Sequence, residues 1–211
     1  MASESRFWDR IAAKYAKNPI ADMASYERKL ETTRRYLTPD SEVLELGCGT
    51  GSTAIEHAPR VRHIDAVDLS PKMIEIARAK TEAAGVDNIT FHVASLDAYD
   101  APPERYDVAL CLSVLHLVDD RDAALARVFQ WLKPGGLLFA STACLGDDMA
   151  FMRFILPIGR AFGLLPLVRV FKSDALIASM ESAGFEVVER WCPGKRKATF
   201  VVARRAAASS R

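Results

Sequence analysis

The chain has 211 residues, half of them hydrophobic, and 28 Lys and Arg nearly cancel 27 Asp and Glu to a formal net charge of +1. That is enough apolar material for one sizeable core in a single domain, and the absence of a one-sign field argues against nucleic-acid binding. Four cysteines, Cys48, Cys111, Cys144 and Cys192, form no C-x-x-C pair. Neither a metal site nor a disulfide framework is expected, and reduced thiols point to the cytoplasm. The first ten residues carry no apolar run, so no signal peptide is expected. The most apolar stretch, 149–171, is interrupted by Arg153, Arg160, Arg169, Pro157 and Pro166. A bilayer span needs about 20 consecutive apolar residues, so this segment is not expected to cross one.

In chain order, residues 5–18 and 24–37 read as helices, the first with Phe7, Trp8, Ile11 and Tyr15 at helical spacing. Thr38-Pro-Asp40 breaks the second. From Val43 onward, short apolar runs alternate with helical segments. Strands are expected at 43–46, 64–68, 89–94, 106–112 and 137–141. Helices are expected from 51 to 57, at 71–84 and at 119–132. Ser70 caps the helix at 71–84, Pro71 opens it and Gly85 follows it. Lys133-Pro-Gly-Gly136 is expected to stop the helix before it. Continuous apolar runs alternating with helices imply a doubly wound parallel sheet. After a further helix at 173–183, capped by Ser173, strands at 185–191 and 198–204 are joined by six residues. Parallel neighbours need a crossover of about a dozen residues or more, so this last pair must be antiparallel. The Lys195-Arg-Lys197 run between them reads as a solvated turn.

The most informative segment is Val43-Leu-Glu-Leu-Gly-Cys-Gly-Thr-Gly51, a strand entering a glycine-rich turn and then a helix. Such a turn lets a ligand lie against bare backbone beyond the strand's carboxyl end. Glu45 places an acid in an otherwise apolar strand, where a buried carboxylate needs a partner or a task. Asp68 ends the second strand about 20 residues later, where an acid can take ribose hydroxyls; the alternative is a helix cap.

The chain here resembles the class I S-adenosylmethionine-dependent methyltransferases, in particular the small-molecule branch of ubiquinone and menaquinone biosynthesis. Glu45-Leu-Gly-Cys-Gly-Thr-Gly51, Ala66-Val-Asp-Leu-Ser70, Tyr106-Asp-Val-Ala-Leu110, Leu132-Lys-Pro-Gly-Gly136 and Ala183-Gly-Phe185 carry the resemblance, which extends over about residues 5–205. It implies a Rossmann-like α/β fold with a seven-stranded, mostly parallel sheet ending in an antiparallel hairpin. It also implies S-adenosyl-L-methionine as cofactor. By the same resemblance Glu45 meets the methionine portion, Gly47, Cys48 and Gly49 line the cofactor's path, and Asp68 accepts from the ribose. Leu69 and Met73 flank the adenine. Ser95 stands where the family has an adenine-binding acid, with Leu96 and Asp97 after it, and Ser95 and Asp97 remain alternatives for that contact. Cys111 falls near the methionine end, Ser113 and His116 on the substrate loop, and Tyr15 over the cofactor. Tyr15 also reads as ordinary core, and both Cys48 and Cys111 as packing residues rather than nucleophiles.

Methyl transfer from a sulfonium is an in-line displacement that asks the protein mainly for alignment and exclusion of water. His116 is the candidate general base, required only if the acceptor must lose a proton; its alternative is a packed histidine. Residues 1–40 are read as a helical cap, 41–143 as the cofactor-binding core, 144–172 as a lid-like insertion, 173–205 as a final helix and hairpin, and 206–211 as a fraying tail. The apolar insertion suggests an apolar or amphipathic small-molecule methyl acceptor; the same segment suits a homodimer face or a membrane surface. No metal is expected. Two rivals are a noncatalytic module that binds S-adenosylmethionine and an oxidoreductase using NAD.

Overall fold

The computed structural model describes residues 2–207. From residue 208 on, the expected fraying tail lies outside the described residues. The chain falls into two compact units, one ending at Tyr99 and the other beginning at Asp100. The first holds α1 (Ala2–Lys17), α2 (Met23–Arg34), β1 (Glu42–Leu46), α3 (Ser52–His57), a 3-10 turn at Ala58–Arg60, β2 (His63–Asp68), α4 (Pro71–Ala83) and β3 (Ile89–Val93). The second holds β4 (Tyr106–Leu112), α5 (Arg121–Trp131), β5 (Leu132–Thr142), α6 (Leu145–Asp148), α7 (Met152–Ala161), α8 (Ser173–Ser182), β6 (Phe185–Trp191) and β7 (Thr199–Arg205).

The strands form a seven-stranded sheet in the order β3-β2-β1-β4-β5-β7-β6. In the first unit β1, β2 and β3 pair in parallel. In the second, β4 and β5 are parallel, and β7 runs antiparallel to both β5 and β6. The Rossmann-like α/β fold with a terminal antiparallel hairpin is therefore present. Val43, Leu44 and Leu46 of β1 and Ile64, Ala66 and Val67 of β2 are buried, as are Ala109, Leu110 and Cys111 of β4. Burial on both faces is why these strands read as unbroken apolar runs.

Four local expectations need correction. α2 ends at Arg34 rather than at 37. There the ladder tightens, with Tyr36 N–H donating to Thr33 O, and Pro39 disfavours helix at the residue before it. α5 starts at Arg121, not at 119, because the Asp120 carboxylate accepts the Ala123 N–H at 2.9 Å and caps it. The fifth strand starts at Leu132 rather than at 137, directly after Trp131 ends α5, so Lys133-Pro-Gly-Gly136 follows the end of the helix but lies within β5. The register passes from Tyr106↔Leu132 to Val108↔Leu137, so Lys133 to Gly136 lie opposite Asp107 alone. Lys133 Nζ holds both Asp107 carboxylate oxygens at 2.8 Å. A Cβ on Gly136 would sit 2.8 Å from the Lys133 carbonyl oxygen and 3.1 Å from that of Asp107, so only glycine fits this bulge. Finally, Ser173 does not cap α8; the Asp147 carboxylate takes the Ser173 N–H from the end of α6 instead, at 3.1 Å to each oxygen.

The second unit is closed by Arg205 at the end of β7. Its guanidinium donates to the carbonyls of Phe129 (3.0 Å), Gln130 (3.2 Å) and Leu132, and to Glu104 Oε1 (2.8 Å). It also lies over the Phe129 ring at 4.8 Å. A cation on the orphan carbonyls at a helix C-terminus satisfies both their hydrogen bonding and the local dipole. Arg205→Ala is expected to destabilise the protein by about 2 kcal/mol, read from urea denaturation. Arg205→Lys should recover only part of this, since an ammonium lacks the planar fork.

Candidate cofactor site

The glycine loop leaves β1 and folds back on β2, with the Gly47 and Cys48 N–H groups both donating to Val67 O at 2.8 and 3.0 Å. Gly49 and Gly51 have φ of +53° and +74°, in the left-handed region. A Cβ on Gly51 would stand 3.0 Å from Ala77 Cβ and 3.4 Å from the Phe91 ring, so this glycine also permits the close approach of α4 and β3.

Asp68, at the end of β2, ties two loops together. One carboxylate oxygen accepts the Gly49 N–H and the other the Ser70 N–H, both at 2.9 Å. Each oxygen has a second acceptor direction, which leaves the group able to receive a vicinal diol. Burial raises its pKa, opposed by the bonds from Ser70 and Gly49. On the neighbouring strand, Glu45 is 3% exposed and its Oε2 has no hydrogen-bond partner among the described residues. Burial, then the Asp68 charge, pushes its pKa up to about 8. An orphaned buried oxygen beside a second acid is costly unless a cation or donor meets it.

Tyr15, on α1, puts its ring edge 3.8 Å from where a Gly49 Cβ would lie, so the phenol overhangs the glycine loop while remaining half exposed. Burial, then the Asp68 and Glu45 charges, raises the phenol pKa. Sequence reasoning missed the residue that positions this helix, Asp9. One of its oxygens accepts Ser70 Oγ–H at 2.6 Å and the Lys72 N–H at 3.1 Å, docking α1 on the first turn of α4. Ser70 in turn accepts the Met73 N–H and caps α4 as expected. No local pattern marks this role of Asp9, because Ser70 and Lys72, on which it docks, are more than 60 residues away.

Of the remaining expected contacts in this unit, Cys48 is buried, and burial followed by the Glu45 and Asp68 charges holds its thiol protonated. Leu69 is half-buried, while Met73 is packed into the core. Ser95 is half-buried and its carbonyl accepts from the Ala98 and Tyr99 N–H groups; Leu96 is buried and Asp97 exposed. In the second unit, Cys111 is fully buried in β4. Ser113, just beyond it, has φ of +64° and donates its N–H to Ser141 O at 2.7 Å. That is a strained conformation of the kind that concentrates at functional loops. His116 is half-buried, its Nδ1 has no hydrogen-bond partner among the described residues, and desolvation lowers its imidazole to about 4. Its carbonyl accepts the Arg169 N–H at 2.8 Å, and Arg169 pairs with Asp119 at 2.9 Å, so the return of the insertion is fastened to this loop. No group of side chains among the described residues suits a metal ion.

Residues 43–136 match a family model described as a methyltransferase domain. A ubiquinone biosynthesis O-methyltransferase of Xanthomonas euvesicatoria is 30% identical over 142 residues, which cover 67% of this chain and 57% of that protein. The chain thus spans under three-fifths of that relative's length. A putative methyltransferase from Bacillus halodurans superposes with a TM-score of 0.73 at 19% identity, covering 85% of this chain and 98% of that one. An S-adenosylmethionine-dependent methyltransferase from Mesorhizobium loti gives 0.68 at 22% identity, covering 83% and 96%. The chain carries a class I S-adenosylmethionine-dependent methyltransferase domain.

The geometry of the methyltransferase loop fits the cofactor of that family. The amino acid end of S-adenosylmethionine offers an ammonium group of the kind Glu45 Oε2 lacks, and its ribose offers the diol that Asp68 can accept. In the free protein Glu45 holds its proton at pH 7, whereas an ammonium requires the carboxylate. Cofactor binding is therefore expected to release a proton, and affinity should rise between pH 6 and 8. Calorimetry in buffers of different ionisation heat should show this as a buffer-dependent enthalpy. Glu45→Gln should abolish that dependence and weaken binding about tenfold. Asp9→Ala, which unfastens α1 while leaving both acids in place, should lower stability by about 1 kcal/mol and weaken cofactor binding less than Glu45→Gln does.

Proposed function

We propose that the protein transfers a methyl group from S-adenosylmethionine to an apolar or amphipathic small molecule bearing a phenolic or comparably acidic nucleophile. The observation that carries this reading is the pair of acids, buried Glu45 and half-buried Asp68, on adjacent parallel strands and beside the glycine loop. Such a site rewards a ligand with a positive charge and a diol. It disfavours NAD, whose pyrophosphate would approach two carboxylates with no ammonium to offer Glu45. A noncatalytic module would bind the same cofactor and yield no product.

The substrate class is inferred from the insertion at 144–172, rich in exposed Phe, Ile and Leu, and from the named activity of the O-methyltransferase relatives. The proposed acceptor is therefore a phenol or quinol with an apolar substituent, and nucleic acid is not a proposed substrate. A cytoplasmic setting agrees with four cysteines that are all free thiols. No helix among the described residues is long and apolar enough to cross a membrane.

His116 is the proposed catalytic residue at the nucleophile. With its imidazole lowered to about 4 it is neutral throughout the physiological range, so it accepts a hydrogen bond from the nucleophile and orients it, and the proton passes on to solvent. Formation of S-adenosylhomocysteine in the presence of alkylated phenols and quinols tests the activity. His116→Ala should lower kcat about 100-fold with cofactor affinity unchanged, and the wild-type imidazole should add no step to the kcat profile between pH 6 and 8. Undiminished turnover in His116→Ala would remove it from the mechanism. Cofactor binding without product from any acceptor class would favour the noncatalytic module.

A further inference from the structure

The loop from β4 to α5 carries His116, and most of it is held by its own neighbours. Ser113 donates its N–H to Ser141 O at 2.7 Å, and Leu117 donates its N–H to Val114 O at 2.8 Å. Leu115 and Val118 are buried, and Asp120 closes the loop by capping α5. The His116 ring is held differently. Its Nδ1 has no hydrogen-bond partner among the described residues, whereas a catalytic imidazole is ordinarily oriented through its second nitrogen. Beyond packing, this ring takes its position from the main chain of residue 116. Whatever fixes that main chain therefore fixes the imidazole.

Arg169, on the return of the insertion, grips the loop at two points. Its N–H donates to the His116 carbonyl oxygen at 2.8 Å, and its guanidinium donates to Asp119 Oδ1 at 2.9 Å. Arg169 suits a brace because the chain on either side of it is seated. Leu167, two residues before it, is buried. Two residues after it, the Phe171 carbonyl accepts the Gly146 N–H at 2.8 Å, and the Phe171 ring lies under the Arg121 guanidinium at 4.3 Å. Gly146 is pressed against this contact, since a Cβ there would fall 2.7 Å from the Phe171 carbonyl oxygen. The side chains of Arg169 and Asp119 are 50% and 69% exposed, so their ion pair adds little to stability. Its value is geometric, because a misplacement of about 1 Å at a reacting group costs more in rate than such a pair adds to folding.

We propose that Arg169 is a positioning residue for methyl transfer, bracing the loop through the His116 carbonyl and Asp119 so that the imidazole meets the nucleophile. The inference rests on the reading of His116 as the residue at the nucleophile.

The test combines kinetics, with an alkylated quinol as methyl acceptor, and NMR of histidine-labelled protein. Arg169→Gln keeps the N–H and removes the charge. It should lower kcat about fivefold and leave the acceptor KM and the affinity for S-adenosylmethionine unchanged. Asp119→Asn should do the same, and the swap Asp119→Arg/Arg169→Asp should recover most of the loss. In a His116→Ala background Arg169→Gln should cost nothing further, as expected when one residue acts through the other. The imidazole signals that vanish in His116→Ala should shift or broaden in Arg169→Gln and return in the swap, and this arm decides even where the quinol is not methylated. Unaltered His116 signals in Arg169→Gln overturn the proposal. So does a fall in kcat that persists in the His116→Ala background or tracks a lower urea midpoint, because the pair then serves stability alone. Failure of the His116 reading looks different: His116→Ala keeps full turnover, while the His116 signals still respond to Arg169→Gln and return in the swap, which supports the brace.

Discussion

The first unit depends on one carboxylate. Asp68 accepts the Gly49 N–H with one oxygen and the Ser70 N–H with the other, holding together the loop after β1 and the start of α4. Ser70 then caps α4 with its hydroxyl oxygen while donating the hydroxyl proton to Asp9, which secures α1. Through this chain of short polar contacts, the acid that ends β2 also determines where Tyr15 lies over the glycine loop. Losing it would disturb loop, helix and overhanging phenol together, quite apart from any bond to a ribose.

Glu45 plays the opposite part. Both oxygens of Asp68 are engaged by backbone N–H groups, but Glu45 keeps an oxygen inside the core without a partner among the described residues. In the free protein a proton settles the imbalance, since burial and the neighbouring acid raise its affinity for one. The two acids divide the work, one maintaining shape and the other retaining an unmet demand for positive charge. That division suits a site which must be firm before its ligand arrives and still gain from receiving it.

Much of this was legible in the residues themselves. The unbroken apolar runs of β1, β2 and β4, the Ser70–Pro71 helix start and the six-residue connection before β7 each have a direct physical meaning, and the fold followed from them. The failures at Lys133–Gly136 and Ser173 share a cause: a local signal overridden by a distant partner. Lys133-Pro-Gly-Gly136 has turn composition, yet Asp107 on β4 captures Lys133 and draws the segment into β5 as a bulge. Ser173 has the right chemistry for a cap, but Asp147 supplies it. Asp9 gave no signal because its task is defined only by where Ser70 ends up. In the insertion, composition revealed apolar character but not direction, and only the structure shows that most of the large side chains of α7 face outward.

The position of β7 has a consequence for the order of assembly. β6 precedes it in sequence, yet β7 is the strand seated between β5 and β6. When β6 has been synthesised it has no sheet neighbour, and it cannot pair with β5 without occupying the place of a strand still to come. The α5 terminus, whose carbonyls wait for Arg205, is left open for the same interval. The first unit, with its three parallel strands already paired, can consolidate early, as N-terminal regions do during synthesis. The second must remain unfinished until a final strand threads between two others. Its exposed edge is then β5, apolar from Leu137 onward and awaiting a partner, which makes the interval before β7 arrives the chain's period of greatest risk of mispairing.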